Sequence, residues 1–161
     1  MYYLGVDLGG TNIACAVVTK EGDLLGKSSI PTSLPDAPEA IASRIAACCH
    51  LAVEATDCTM EDIESVGIGT PGIANSRDGI VEYSCNLGFQ NTPLSALVEA
   101  LLQKPVYLEN DANAAALGEF VAGSGRGSES LVAITLGTGV GGGVVMNGHL
   151  LTGFNFAGAE I

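Results

Sequence analysis

The sequence predicts an α/β protein built as two units on one plan, and three observations predict it. Short apolar runs separated by turn residues alternate with longer stretches of helical periodicity. The 22 glycines gather around Gly9–Gly10, Gly67–Gly72 and Gly137–Gly143, just after apolar runs, where tight turns and close backbone approach call for them. The opening pattern also returns later in the chain. Leu4-Gly5-Val6-Asp7-Leu8-Gly9-Gly10-Thr11 followed by Ile13 to Val18 has its counterpart in Val132-Ala133-Ile134-Thr135-Leu136-Gly137-Thr138-Gly139 followed by Val140 to Met146. A repeat of strand, Gly/Thr loop and strand implies two lobes of one design.

Taken in order, the runs Tyr2 to Leu8, Ile13 to Val18 and Leu24 to Ile30 read as a β-meander. Asp36, with Glu39 in capping-box spacing, opens a helix reaching to about Thr56, with Ile41, Ile45, Cys48 and Ala52 on one face. Ser65 to Gly69 is a buried strand ending in the loop Thr70-Pro71-Gly72, and the segment from Ile73 to Asn91 reads as irregular. Thr92 and Pro93 start a helix with Leu94, Leu97, Val98, Leu101 and Leu102 on its core side. Val106 to Glu109 is a strand, and Asp111 opens an alanine-rich helix to about Ala122. Gly123-Ser124-Gly125-Arg126-Gly127 is linker-like, so residues 1–123 are expected to form the first lobe and residues 124–161 the start of a second, nucleotide-binding lobe.

Composition narrows the function. With 6 basic and 18 acidic residues the net charge is −12, which repels nucleic acid and anionic membranes but leaves room for a nucleotide held by backbone N–H groups and Mg²⁺. No apolar stretch suits a bilayer span or a signal peptide. Five cysteines without a Cys-x-x-Cys pair read as reduced structural thiols, which favours the cytoplasm.

The two Gly/Thr loops carry the chemistry. Gly9, Gly10, Thr11 and Asn12 in the first, and Gly137, Thr138 and Gly139 in the second, offer N–H and hydroxyl donors that could clamp a polyphosphate between them. Asp7 either holds Mg²⁺ through water or caps the turn. Asp111 is equally readable as a helix N-cap or as the base that takes a proton from an attacking sugar hydroxyl. Asn86 and Glu160 could serve sugar hydroxyls or be solvated loop residues. His50 and His149 read as surface residues, and no Ser/His/Asp set or metal-spaced cluster is visible.

Several of these segments together resemble the ROK family of sugar kinases, in its glucokinase-like branch. They are Asp7-Leu8-Gly9-Gly10-Thr11-Asn12, Thr70-Pro71-Gly72, Glu109-Asn110-Asp111-Ala112-Asn113-Ala114-Ala115, Leu136-Gly137-Thr138-Gly139-Val140-Gly141-Gly142-Gly143 and Ala157-Gly158-Ala159-Glu160-Ile161. The resemblance implies an actin-like ATPase, ribonuclease-H-like fold with a mixed sheet and flanking helices. It implies phosphorylation of an aldohexose, glucose first, by ATP and Mg²⁺. Asp111 is then the general base, Asn86, Asn110, Asp111 and Glu160 contact the sugar, and the two Gly/Thr loops bind ATP. A homodimer is also implied. The alternatives are a kinase for N-acylmannosamine or fructose, a sugar-responsive transcriptional regulator, and a non-catalytic scaffold. Cys85 stands before Asn86 where the family often has proline. The family's Gly-His pair and zinc cysteines do not occur before Ile161, so structural Zn²⁺ is expected only in a longer protein and this chain is expected to have little activity alone.

Overall fold

The computed structural model describes residues 1–136 and 140–159. Gly137, Thr138, Gly139 and Glu160, all expected site residues, lie outside the described residues. The chain opens with the expected meander, β1 (Tyr2–Leu8), β2 (Asn12–Thr19) and β3 (Leu24–Pro31), and then forms α1 (Pro38–Glu54). A turn of 3₁₀ helix at Met60–Asp62 leads to β4 (Ile63–Thr70), followed by β5 (Ile73–Asn75), β6 (Ile80–Ser84) and β7 (Phe89–Thr92). After α2 (Leu94–Leu102), β8 (Val106–Asn110) and α3 (Asp111–Val121), the last strands are β9 (Ser130–Leu136), β10 (Val140–Met146) and β11 (His149–Leu150).

The main sheet has the order β3-β2-β1-β4-β8. Its meander half is antiparallel, and β4 and β8 join β1 in parallel through helical crossovers. Alternation along the strands decides which face is dry. Leu4, Val6, Leu8, Ile13, Cys15, Val17, Val66, Ile68, Val106 and Leu108 all point into one core with Ile41, Ile45, Cys48, Cys49 and Ala52 of α1 and Leu94 and Val98 of α2. Each such aliphatic side chain contributes about 1.5–3 kcal/mol of transfer free energy, so this face holds the lobe together. The opposite face carries Gly5, Asp7, Ala14, Ala16, Gly67, Gly69 and Tyr107. It is mixed and small, with α3 across one end.

The second meander pairs in the order β11-β10-β9, which matches the repeat seen in the sequence. It packs against α3 through two glycines. A Cβ built on Gly143 would lie 2.5 Å from Ala116 Cβ and 2.8 Å from the Ala112 carbonyl, and one on Gly141 would lie 3.3 Å from Ala112 Cβ. Bare backbone on β10 and alanine on α3 therefore set this close approach.

Four expectations are corrected. The α1 start is set by Pro38 in its first turn, with Ala37 as the cap residue. Asp36 instead accepts from the Ala37 N–H at 2.8 Å and pairs with Arg44. The stretch from Ile73 to Asn91 is not irregular but contains the small sheet β5-β6-β7, whose strands of three to five residues are too short to show periodicity. Thr92 ends β7, leaving Pro93 as the residue before α2. On that helix Leu101 faces solvent, since only Leu94, Ser95, Val98 and Leu102 are buried.

Candidate functional site

Of the expected site residues, Asp7, Gly9, Gly10, Thr11, Asn12, Asn86, Asn110 and Asp111 gather near the carboxyl ends of the parallel strands, where α/β sheets bind ligands. Register explains how. Asp7 on β1 pairs with Gly69 on β4, and Gly69 pairs with Glu109 on β8. Partners on neighbouring strands point to the same face, so Asp7 and Glu109 flank a position with no side chain. Asp111 sits over that gap: a Cβ on Gly69 would come within 3.4 Å of the Asp111 Cα. Asp7, Gly69, Glu109 and Asp111 line one end of a groove of about 1490 Å³ that continues along the small-residue face to Tyr107 and Leu24.

Asp7 is on the open face of β1, not inside the apolar run as its neighbours in sequence suggested. Its carboxyl is nevertheless held above the usual range, first by burial in the groove and second by the negative charge of Asp111. A carboxylate made costlier to ionise by burial and by a second carboxylate nearby suits a divalent cation. Mg²⁺ is commonly held by one or two carboxylates, water and substrate phosphates, so the pair fits it. No cluster of three or more His, Cys, Asp or Glu that could hold a metal occurs among the described residues.

The raised value makes a stability prediction. A carboxyl that holds its proton more tightly when folded adds stability at low pH and subtracts it once pH rises through the folded pKa. The Asp7→Asn variant is therefore expected to melt higher than the parent at neutral pH. The difference should shrink as pH falls below the raised value and vanish near the unperturbed 3.8. Thermal melts across that range check it; a variant that melts lower at pH 7 would contradict the burial and repulsion argument.

The first Gly/Thr loop is the tight β1–β2 turn. The Gly9 N–H donates to the Asn12 carbonyl at 2.9 Å, and a Cβ on Gly9 would meet that oxygen at 2.9 Å. Thr32 ties the turn down from the side, its hydroxyl donating to the Gly9 carbonyl at 2.6 Å and its N–H to the Thr11 carbonyl at 2.8 Å. Sequence reasoning did not single out Thr32, and a buried threonine in a loop would have been its only signal. Gly10, Thr11 and Asn12 are exposed. Asn86, also exposed, approaches this loop from the β6–β7 turn, with its Cβ 3.8 Å from a Cβ built on Gly10.

At the β8–α3 junction, Asn110 takes the capping role. Its Oδ1 accepts the Asn113 N–H at 3.1 Å, and its Nδ2 donates to the Gly72 carbonyl at 3.0 Å. The N-cap reading of Asp111 is thereby corrected: Asp111 is the first helical residue and remains exposed. One of its oxygens accepts the Ala112 N–H at 2.8 Å. Glu109, not among the expected site residues, accepts from the Asn110 N–H at 2.9 Å and from Asn113 Nδ2 at 3.1 Å. The Thr70-Pro71-Gly72 loop is thus fastened to the same junction. His50 and His149 are exposed.

Comparison with known proteins bears on this geometry. The ROK family model matches residues 3–161. The chain is 39% identical over 160 residues to a glucokinase of Halalkalibacterium halodurans, covering 99% of the chain and 48% of that protein. It is 43% identical over 159 residues to a glucokinase of Thermotoga maritima, covering 98% and 49%. The crystal structure of a ROK family glucokinase from Streptomyces griseus in complex with glucose and AMPPNP superposes with a TM-score of 0.89 at 39% identity, covering 99% of the chain and 49% of that structure. The chain thus spans about half the length of the curated relatives it matches, and its fold is the actin-like one expected from the motifs.

Proposed function

The chain belongs to the ROK family, and from that premise we propose that the natural protein transfers the γ-phosphate of ATP to the 6-hydroxyl of an aldohexose, glucose first. The observation that carries this reading is the placing of Asp7 and Asp111 in one groove beside the Gly9–Asn12 turn. It is supported by likeness to glucokinases, one of them solved with glucose and AMPPNP.

In this reading Asp111 stands where a sugar hydroxyl can hand over its proton. The hydroxyl oxygen forms a bond to the γ-phosphorus as the bond from that phosphorus to the bridging oxygen breaks, and ADP leaves. Asn86, Asn110 and Glu160 orient the sugar through its hydroxyls. Gly9, Gly10, Thr11 and Asn12, with Gly137, Thr138 and Gly139 from the second unit, hold the phosphates. Asp7 would hold Mg²⁺ through water, and the ion when bound would offset the charge of the triphosphate. Residues 1–123 and 124–161 belong to two lobes whose closure would exclude water from the transfer. The same reading makes the protein a cytoplasmic homodimer.

The test is an ADP-release assay on the natural gene product with glucose, mannose, fructose, N-acetylglucosamine and N-acetylmannosamine. Glucose is expected to give the largest kcat/KM. Preference for fructose or an acylhexosamine would keep the chemistry and replace the substrate. Sugar binding without sugar-dependent ADP release would replace the kinase reading with that of a sensor.

A further inference from the structure

The first Gly/Thr loop is braced from one side by the end of β3. Register pairs Asn12 with Pro31, so Thr32, the residue after β3, lies against the turn. Thr32 is 0% exposed, whereas Gly10, Thr11 and Asn12 are exposed. It binds the turn twice, its hydroxyl donating to the Gly9 carbonyl at 2.6 Å and its N–H to the Thr11 carbonyl at 2.8 Å. The N–H bond belongs to the main chain and survives any substitution but proline. The hydroxyl bond depends on the side chain.

Peptide geometry says what that hydroxyl fixes. The Gly9–Gly10 peptide is trans and planar, so its C=O and N–H point to opposite sides. Holding the Gly9 carbonyl toward the buried Thr32 therefore turns the Gly10 N–H away from it. That N–H has no backbone partner among the described residues. The other bonds of the turn do not set this plane. The Gly9 N–H, which donates to the Asn12 carbonyl, belongs to the peptide before it, and the Thr11 carbonyl to a peptide after it. Two successive glycines have no Cβ to restrict the peptide between them, so the Thr32 hydroxyl is what holds its orientation.

We propose that Thr32 is a positioning residue whose hydroxyl fixes the Gly9–Gly10 peptide so that the Gly10 N–H is presented to a phosphate of the nucleotide. The phosphate in this inference rests on the kinase reading above; the fixing of the peptide does not.

Three variants of the natural gene product test it. Thr32→Val keeps the branched shape and removes the donor, Thr32→Ala removes the donor without adding bulk, and Thr32→Ser keeps the donor and loses a methyl. The calorimetric Kd for ATP with Mg²⁺ is expected to weaken roughly tenfold in Thr32→Val and Thr32→Ala. Thr32→Ser should stay within about twofold of the parent, and the glucose KM within about twofold in all three. A role in stability alone would follow the melting temperatures, measured in parallel, and leave the ATP Kd in place. Independently of ligand, the ¹H–¹⁵N heteronuclear NOE of the Gly10 amide should fall in Thr32→Val and be kept in Thr32→Ser. An ATP Kd unchanged in both donor-less variants, or weakened equally in Thr32→Ser, overturns the inference. If the Gly10 NOE falls in Thr32→Val alone while the parent binds no ATP, the fixing of the peptide stands and the kinase reading falls.

Discussion

Asp111→Asn is expected to reduce sugar-dependent ADP release by roughly 10²- to 10⁴-fold, the range for loss of a positioned general base, while the melting temperature stays close to that of the parent. The two halves of the expectation have separate causes. An amide cannot take up the hydroxyl proton, so the chemistry loses its acceptor. The fold keeps what it needs, because Asn110 caps α3 and an asparagine Oδ1 can still accept the Ala112 N–H. Removing the charge also relieves Asp7, whose raised carboxyl owes its second cause to Asp111. ADP-release rates at saturating sugar and ATP, with thermal melts in parallel, check both halves. Turnover near the parent's would take the base role away from Asp111.

Gly72→Ala is expected to be the most damaging small substitution near the site. Gly72 has φ +95°, in the left-handed region, and a Cβ there would run into the Tyr83 carbonyl and lie 2.9 Å from the Ser84 Cα. Left-handed backbone costs an alanine about 1–2 kcal/mol, and forcing a methyl against fixed backbone adds about 1–3 kcal/mol. For a chain of this size each kcal/mol lowers the melting temperature by roughly 2–4 °C, so a fall on the order of 5–15 °C is expected. The effect should reach the site, because the carbonyl that Asn110 Nδ2 holds belongs to Gly72. Calorimetry and the glucose KM would be measured together, and a variant as stable as the parent would mean that the β4–β5 turn relaxes freely.

Much of the fold was legible because burial imposes period on sequence. The strands of the main sheet alternate or run apolar, and α1 repeats its aliphatic residues every three or four positions, so β1, β2, β3, β4, β8 and α1 could be read within a few residues. The β5-β6-β7 sheet could not, because its strands are only three to five residues long and lie among turns. Site motifs were legible for a different reason. Glycine before Thr11, glycine after Pro71 and the Asn110-Asp111 pair follow strands directly, and strand ends are where backbone and side chains become available to ligands. Thr32 was missed because its partner Gly9 lies 23 residues away, and Glu109 and Asn113 because their bond forms only where the end of β8 bends into α3.

The sequence by itself determined the order of the main-sheet strands and the three helices, the repeat of the meander, the family and the candidate chemistry of Asp7 and Asp111, because these depend on residue type and local spacing. Only the tertiary structure decided which group does what at the junction. Asn110 rather than Asp111 caps α3, Asp7 faces an open groove, and Gly69 makes the space that Asp111 overhangs. The physical reason is register. Pairing of β1 with β4 and of β4 with β8 sets Asp7, Gly69 and Glu109 in one row, and no local pattern in any one segment encodes that alignment.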